Sequence, residues 1–383
     1  MQAFIQQMAG IIGLRRRLAL NISRTLLDDV TKKHRLVQLF WECTLRCNLS
    51  CRHCGSDCKA TAGCKDMPLE DFARVLDSVA AAQDPHLVMI NVTGGEPLMR
   101  QDLEKCGLMM YNKGFPWGMV TNGLALTPER YKRLLQSGLR SMTISLDGIG
   151  EDHDWMRGRK GSYDRAIAAI RMVAASKEIV FDVVTCANSR NFSHLGEIKD
   201  LLVSCGVERW RIFTVFPVGR GASDPELQLS NEQFRGLMEF IKATRKEGKI
   251  KASYGCEGFL GPYEGEVRDH FYFCNAGIGV GGVLCDGSIS ACTSIRADYK
   301  QGNIYTDDFM QARRSVVSDM KEPGHADTDD NDHYCPSFPS QKERFGNKYY
   351  GENRVADKER QMGSLERIIV FINCAHNAYP LNL

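Results

Sequence analysis

The chain lacks an excess of charge of either sign, because 49 Lys and Arg residues are set against 47 Asp and Glu residues, for a formal net charge of +2. A strongly basic surface attracts polyanions, so this balance argues against a nucleic-acid partner. Long hydrophobic runs are also lacking, since no segment has the roughly 20 consecutive apolar residues of a membrane-spanning helix. A secretory signal peptide is not evident either, because the apolar run at residues 9–14 is short and leads directly into three arginines.

Cysteine, in contrast, is abundant, with 15 residues in a chain of 383. Without secretion, clustered cysteines are more typical of metal ligands or catalytic groups than of disulfides. We therefore expect a cytoplasmic protein with metal-binding thiols. Hydrophobic residues make up 43% of the chain and charged residues 25%, as in ordinary globular proteins. The length predicts two domains, or one barrel with an extension.

Residues 1–34 have the pattern of an amphipathic helix. Basic residues lie between apolar ones that recur at helical spacing, namely Leu14, Leu18, Ile22, Leu26 and Leu27. A helix of this kind usually packs on the domain that follows it. The alternative is a peripheral membrane contact through Ile11, Ile12 and the basic run at 15–17.

From residue 35 the chain alternates between strand-like and helix-like segments. The strand-like segments are Leu36–Trp41, His86–Val92, Trp117–Thr121, Ser141–Leu146, Ile179–Cys186 and Arg209–Phe216. Helical patterns separate them, at about 68–82, 100–113, 127–137, 161–176 and 193–205. Such alternation predicts an α/β fold with a parallel sheet and helices outside it. Functional groups are then expected at the carboxyl-terminal ends of the strands.

Three cysteines follow the first strand at a tight spacing, Cys47, Cys51 and Cys54. Iron–sulfur clusters are normally held by four thiolates, so a CX3CX2C triplet can ligate three irons of a [4Fe-4S] cluster and leave the fourth open. A zinc knuckle or buried structural thiols are the alternatives. The spacing, directly after a strand, resembles the signature of the radical S-adenosylmethionine (SAM) superfamily. That resemblance implies a partial (β/α)6 TIM-like barrel over residues 35–230, with SAM bound to the open iron.

Two further motifs follow the second and third strands. The sequence Gly94-Gly95-Glu96-Pro97 resembles the GGEP motif of the family, which implies that Glu96 binds the amino group of SAM, with Gly94 and Gly95 beside it. Glycines also let a backbone approach a ligand closely, although the four residues alone are a common turn. The sequence Thr121-Asn122-Gly123 is a tight turn by itself. The resemblance implies that Asn122 contacts the cofactor or a residue that holds it.

The fourth strand ends at Ser145-Leu146-Asp147-Gly148, and Arg157 follows. This pattern resembles the peptide-modifying and anaerobic sulfatase-maturating branch of the family. It implies that Ser145 and Arg157 hold the carboxylate of SAM, a task that suits the planar guanidinium fork. We assign Asp147 to the same cofactor site. A role confined to the turn is its alternative.

Residues 231–345 resemble a small cysteine-rich α+β module of the SPASM or twitch type. Cys274, the hairpin signal Asp286-Gly287 and Cys292 carry this resemblance. Cys285 stands where the family usually has proline, so it is not assigned as a ligand. The module implies an auxiliary [4Fe-4S] cluster, with the ligands Cys256, Cys274, Cys292 and Cys335.

The resemblance becomes poor after Cys292. A full SPASM module continues with a longer series of cysteines than this chain contains. The alternatives are therefore a shorter twitch module with one auxiliary cluster, which we expect, or a degenerate module without a complete cluster. Residues 346–383 are expected to form a divergent tail.

Together these resemblances imply an enzyme that reductively cleaves SAM to a 5′-deoxyadenosyl radical, which abstracts hydrogen from a substrate. The expected substrate is a residue in a ribosomally made peptide or protein, and the expected reductant is a protein such as flavodoxin or ferredoxin. The alternative within the family is a radical step in small-molecule cofactor or haem biosynthesis. The alternative from another class is a non-catalytic iron–sulfur or zinc protein, which would not require Glu96, Ser145 and Arg157 beside the triplet.

Overall fold

The computed structural model describes residues 14–255, 258, 260–291 and 300–315. These residues form a sheet with the strands β1 Gln38–Glu42, β2 Met89–Thr93, β3 Trp117–Thr121, β4 Leu139–Ser145, β5 Val180–Ala187, β6 Arg209–Thr214, β7 Lys251–Tyr254, β8 Val280–Val283, β9 Ser288–Ser290 and β10 Lys300–Asn303. Their order across the sheet is β10-β9-β8-β1-β2-β3-β4-β5-β6-β7. Neighbouring strands from β8 through β1 to β7 pair in parallel, whereas β9 pairs antiparallel with both β8 and β10.

Helices connect the strands. They are α1 Leu14–Lys33, α2 Leu69–Ala82, α3 Leu103–Asn112, α4 Pro128–Gln136, α5 Glu151–Arg157, α6 Ser162–Ser176, α7 Leu195–Ser204, α8 Asn231–Glu247 and α9 Phe309–Ser315. Local capping explains where two of them begin. The Thr127 side chain accepts a hydrogen bond from the Arg130 backbone N–H ahead of α4, and Ser230 and Gln233 form a reciprocal capping box ahead of α8.

One face of the parallel sheet packs against the helices. Trp41 of β1 is fully buried there and stacks on Phe72 of α2, with ring centroids 4.1 Å apart. Truncating a buried aromatic of this size to alanine typically costs about 3–5 kcal/mol. The other face, here called the inner face, carries polar side chains on its central strands. The Thr143 hydroxyl donates to Asp182 Oδ1 at 2.6 Å, and Arg211 Nη2 donates to the Thr143 hydroxyl at 2.9 Å.

The predicted fold class is confirmed, since a parallel α/β sheet is followed by short antiparallel strands. All six predicted barrel strands are present. The sheet extends further than the prediction, however: β7 adds a parallel strand next to β6, and β8 adds another next to β1. The strand β7 has only four residues, and β8 contains two glycines, so neither has a strong strand pattern.

The proposed domain boundaries stay predictions. The sheet continues across the boundary proposed at residue 230, because β7 and β8 both lie beyond it. In α1, Ile22, Leu26 and Leu27 are half-buried and Leu18 is exposed, so the predicted docking of this helix also stays a prediction. None of the described helices combines the length and hydropathy that crossing a membrane requires.

Candidate functional site

The three cysteines of the triplet lie together on the loop that follows β1, residues 43–59, here called the cysteine loop. Cys47 and Cys51 are buried and Cys54 is half-buried. They pack with Leu49 and with a fourth thiol, Cys58, in one small apolar group. The loop closes on itself through the backbone hydrogen bond from Cys47 N to Lys59 O, at 2.8 Å. The structure thus brings together the three residues that the spacing singled out.

The four thiols differ in acidity. Burial raises the pKa of Cys47 to about 11 and raises that of Cys51, although Arg157 opposes the latter shift. The hydrogen bond with the Cys58 thiol lowers the pKa of Cys54 to about 5, and Arg220 adds to this effect against burial. The same hydrogen bond, together with burial, raises the pKa of Cys58.

The two glycines of the predicted GGEP motif pack against the cysteine loop. A Cβ on Gly94, whose φ is +145°, would collide with the carbonyl oxygen of Thr44, and one on Gly95 would collide with that of Arg46. The Gly95 and Glu96 N–H groups donate to these two carbonyls at 2.8 and 2.9 Å. The close approach that these glycines permit is therefore to the loop backbone, and a contact with SAM stays a prediction.

Glu96 is a buried carboxylate that is 1% exposed. Its Oε1 accepts from the Thr121 hydroxyl at 2.7 Å and from Leu98 N at 3.1 Å, and its Oε2 accepts from Asn122 N at 2.8 Å. Burial raises its pKa, while these donors and the more distant positive charge of Arg157 oppose the shift. In the described part of the chain, no Lys, Arg or His side chain forms an ion pair with it. A carboxylate offers about four acceptor positions, so one remains for a ligand.

Asn122 joins the loop after β3 to the cysteine loop. Its Nδ2 donates to Asn48 Oδ1 at 2.8 Å, and its Oδ1 accepts from Leu124 N at 2.9 Å. Asn48 stands next to Cys47 in the sequence. Asn122 therefore holds both the backbone N–H that binds Glu96 and the loop that carries the triplet.

Asp147 and Arg157 form a buried ion pair, with Arg157 Nη2 at 2.6 Å from Asp147 Oδ2. Arg157 Nη1 donates to Cys51 Sγ at 3.8 Å, and its Nε has no hydrogen-bond acceptor among the described residues. Ser145, the last residue of β4, is buried and pairs in register with Val184 of β5. The structure therefore groups Asp147 and Arg157 with the cysteine loop.

The groups around Asp147 explain the ionisation of its carboxyl. Burial raises the pKa of its carboxyl, but the nearby Arg157, His53 and His153 outweigh burial, so that the pKa is lowered. Burial lowers the pKa of both His53 and His153 to about 4. His153 Nδ1 accepts from the Asp147 backbone N–H at 3.1 Å, which fixes a neutral imidazole there.

These residues fit a cluster with SAM bound to it. Thiols on one loop supply the ligands, a buried carboxylate without a cation suits an amino group, and a buried guanidinium with a spare N–H suits a carboxylate. Among the described residues, no three His, Cys, Asp or Glu side chains are arranged to hold a single metal ion. The ligands of a four-iron cluster bind different irons, so they need not converge on one point.

The predicted auxiliary site is only partly within the described residues. Cys274 is half-buried and precedes β8, whereas Cys256, Cys292 and Cys335 lie outside the described residues. Cys285 lies in the β8–β9 turn, and its backbone N–H donates to Glu42 Oε1 at 3.2 Å. Because β8 pairs with β1, this turn lies at the same edge of the sheet as the cysteine loop.

Sequence reasoning missed two residues of this site. His53 Nε2 lies 3.9 Å from Asp147 Oδ2, and Arg220 donates hydrogen bonds to the cysteine loop from the segment after β6. The Gly219-Arg220-Gly221 sequence at the end of a strand was the available signal for the second.

Comparison with known proteins identifies the class to which this fold and site belong. Residues 41–202 match the model of the Radical SAM superfamily. This matched part of the chain, which carries the cysteine loop and the strands β2 to β5, is a radical SAM domain.

Two curated relatives and one solved structure show where the similarity lies. The chain is 28% identical to the AdoMet-dependent heme synthase of Methanosarcina barkeri over 217 residues, which cover 56% of this chain and 60% of that protein. It is 29% identical to the mycofactocin maturase MftC of Mycolicibacterium smegmatis over 296 residues, 75% of this chain and 73% of the relative. The solved structure of native anSMEcpe with bound AdoMet and the Cp18Cys peptide has the same fold, with a TM-score of 0.58 and 16% identity. The match covers 85% of this chain and 99% of that chain. The chain thus spans about 60% of the length of the heme synthase.

Proposed function

We propose that this protein cleaves SAM reductively and that the resulting 5′-deoxyadenosyl radical abstracts hydrogen from a substrate. The observation that carries the proposal is Glu96, a buried carboxylate that accepts three hydrogen bonds but pairs with no cation among the described residues. Leaving a buried charge unpaired is costly, so the position is built for a cationic ligand. The ammonium group of SAM is such a ligand, and the cysteine loop is joined to Glu96 by its own backbone.

Each residue of the site has a role in this proposal. Cys47, Cys51 and Cys54 hold three irons of a [4Fe-4S] cluster. When bound, the cluster would supply the electron for the reductive cleavage of SAM to methionine and a 5′-deoxyadenosyl radical. Glu96 binds the amino group of SAM. Arg157 binds its carboxylate, with Ser145 beside it.

Other residues position these groups. Asn122 holds the Glu96 carboxylate and the cysteine loop at once. Gly94 and Gly95 allow the two loops to approach each other. Asp147 holds Arg157 through the buried ion pair.

For the substrate, we propose a residue in a ribosomally made peptide or protein. The inner face of the sheet supports this class, because Thr143, Asp182 and Arg211 make it polar beneath the site. A backbone and polar side chains can bind such a surface, whereas a large apolar macrocycle requires mainly apolar walls. The similarity to the maturase MftC and the peptide-bound structure of anSMEcpe also favour a peptide.

A second candidate is a radical step in haem or other cofactor biosynthesis. The similarity to the heme synthase of Methanosarcina barkeri supports it, although that similarity covers only 56% of this chain. An auxiliary [4Fe-4S] cluster near Cys274 and an electron donor such as flavodoxin or ferredoxin belong to either candidate.

The SAM reaction is tested with anaerobically reconstituted protein, a chemical reductant and SAM. We expect 5′-deoxyadenosine to form, and we expect the Cys47/Cys51/Cys54 triple-alanine variant to form none while keeping its circular dichroism spectrum. Cys205→Ala is the matched control, because Cys205 lies at the end of α7, and it should keep the activity. Cleavage retained by the triple variant would contradict the proposal.

The substrate class is tested by following the abstracted hydrogen. Extract from the native host, grown on perdeuterated amino acids, is added to the reaction, and the mass of 5′-deoxyadenosine is measured. Deuterium in the product that disappears after protease treatment of the extract supports a peptide or protein. Deuterium that survives the protease, or product formation with an iron coproporphyrin instead, supports the second candidate.

A further inference from the structure

The segment that follows β6 packs directly on the cysteine loop. The Arg220 backbone N–H donates to Cys54 O at 3.0 Å. Its guanidinium donates from Nε to Cys51 O at 2.8 Å and from Nη1 to Cys58 O at 3.2 Å. Nη1 also pairs with Asp57 Oδ1 at 2.6 Å. One residue, about 170 positions away in the sequence, thus contacts three cysteine carbonyls.

Gly219 makes this contact possible. Its φ is +56°, and a Cβ at this position would lie 2.5 Å from Gly55 O and 2.6 Å from Cys54 O. Real side chains do not approach a carbonyl so closely, so the two backbones meet only because this residue has none. The β6 segment is therefore shaped to the cysteine loop.

From these contacts we infer that Arg220 is a positioning residue of the cluster site, which orders the cysteine loop and places a fixed positive charge beside its thiolates. This inference rests on the proposed cluster at Cys47, Cys51 and Cys54. The Arg220 side chain is 25% exposed, so solvent screens its charge only in part.

A positive charge at this position affects the reduction of the cluster. Adding an electron makes the cluster more negative, and a nearby cation stabilises that state. A guanidinium also binds two carbonyls at once through its planar fork, which an ammonium group cannot do in the same way. The effect of the charge can therefore be separated from that of the hydrogen-bond geometry, because a lysine at position 220 keeps the positive charge and loses the planar fork.

The test compares Arg220→Gln and Arg220→Lys with the unaltered protein. The reduction potential of the cluster is measured by redox titration followed by electron paramagnetic resonance (EPR), using the signal that changes when SAM is added. We expect Arg220→Gln to lower the equilibrium constant for reduction about tenfold, which is about 59 mV for one electron. We expect Arg220→Lys to stay within about threefold of the unaltered protein, since its charge is kept.

The matched control is Arg245→Gln. Arg245 also holds a backbone carbonyl and a carboxylate, Ala252 O at 2.7 Å and Asp269 Oδ1 at 2.5 Å, but on β7 and the segment after it. The Arg245→Gln substitution should leave the reduction potential of the cluster unchanged. If Arg220→Gln behaves like this control, with the same potential and EPR signal, the inference is overturned.

Two other outcomes are also decisive. If Arg220→Gln fails to fold, Arg220→Met, which also removes the charge, takes its place: an equilibrium constant for reduction lowered about tenfold supports the inference, and an unchanged one contradicts it. If the unaltered protein binds no iron after reconstitution, the proposed function itself fails. That result is distinguishable, because it precedes any comparison of variants.

Discussion

The guanidinium of Arg157 and the carboxylate of Asp147 form a buried ion pair in which Nη2 and Oδ2 are 2.6 Å apart. Asp147 follows β4, and Arg157 is the last residue of α5. The short helix therefore returns the chain so that the arginine faces both Asp147 and Cys51 Sγ. The ion pair with Asp147 thus holds the Arg157 guanidinium against the cysteine loop.

Asp147→Asn should destabilise the protein by about 3–5 kcal/mol, because it leaves the Arg157 charge buried without its partner. Saturating SAM should restore part of this loss, since its carboxylate replaces the missing anion. The measurement is urea unfolding under anaerobic conditions, with and without SAM. Asp152→Asn, which removes a half-exposed partner of Arg190, is the control and should cost about 1 kcal/mol or less. An equal, small loss in both variants would contradict the role of the pair.

Glu96→Gln should weaken SAM binding about tenfold or more, because a charged hydrogen bond to the SAM amino group is worth about 1.5–3 kcal/mol. The shape of the side chain is kept, so the iron content should not change. Anaerobic equilibrium dialysis with labelled SAM measures the affinity. The control is Glu104→Gln, which alters a carboxylate on α3 that pairs with Arg130 of α4. It should have no effect on the affinity for SAM. Unchanged affinity in Glu96→Gln would remove the central support for the proposed function.

Gly95→Ala should lower both stability and iron content, because its Cβ would collide with the Arg46 carbonyl in the cysteine loop. The matched control is Gly63→Ala, since nothing lies within 4 Å of a Cβ at that position and the residue belongs to the same connection between β1 and α2. Thermal unfolding and iron analysis of both variants test this prediction. A tolerated Gly95→Ala would mean that the two loops are not held as the structure has them.

Stability should fall as the pH decreases from about 6.5 toward 4, in part because of His153. Burial lowers its folded-state pKa to about 4, whereas an unfolded histidine has a pKa of about 6.5. In this window the unfolded chain binds more protons than the folded one, so acid favours unfolding, by up to about 3 kcal/mol for this residue. Urea unfolding between pH 7 and 5 should show a shallower dependence for His153→Asn.

Cys274→Ala should reduce the iron content from about eight to about four per chain, if each cluster holds four irons. Cys285→Ala is the control, because Cys285 was not assigned as a ligand despite its place at the edge of the sheet. Iron and acid-labile sulfide are measured after anaerobic reconstitution. Eight irons in Cys274→Ala would show that this thiol is not a ligand.

The sequence by itself determined the order of strands and helices and the positions of the motifs. These features depend on neighbours in the chain: the period of apolar residues distinguishes a strand from a helix, and tight spacing keeps Cys47, Cys51 and Cys54 on one loop. The six predicted strands and the cysteine loop could therefore be assigned without coordinates. Ser145 at the end of β4 follows from the same local pattern.

Only the tertiary structure decided what these residues contact. Gly94 and Gly95 serve the cysteine loop because β1 and β2 are neighbours in the sheet, and Asp147 faces Arg157 because α5 reverses the chain. Arg220 reaches the cysteine carbonyls across about 170 residues, and β7 and β8 extend the sheet at opposite edges. The physical reason is the same in each case. Such contacts depend on packing between distant segments, and a local pattern carries no information about which segments will meet.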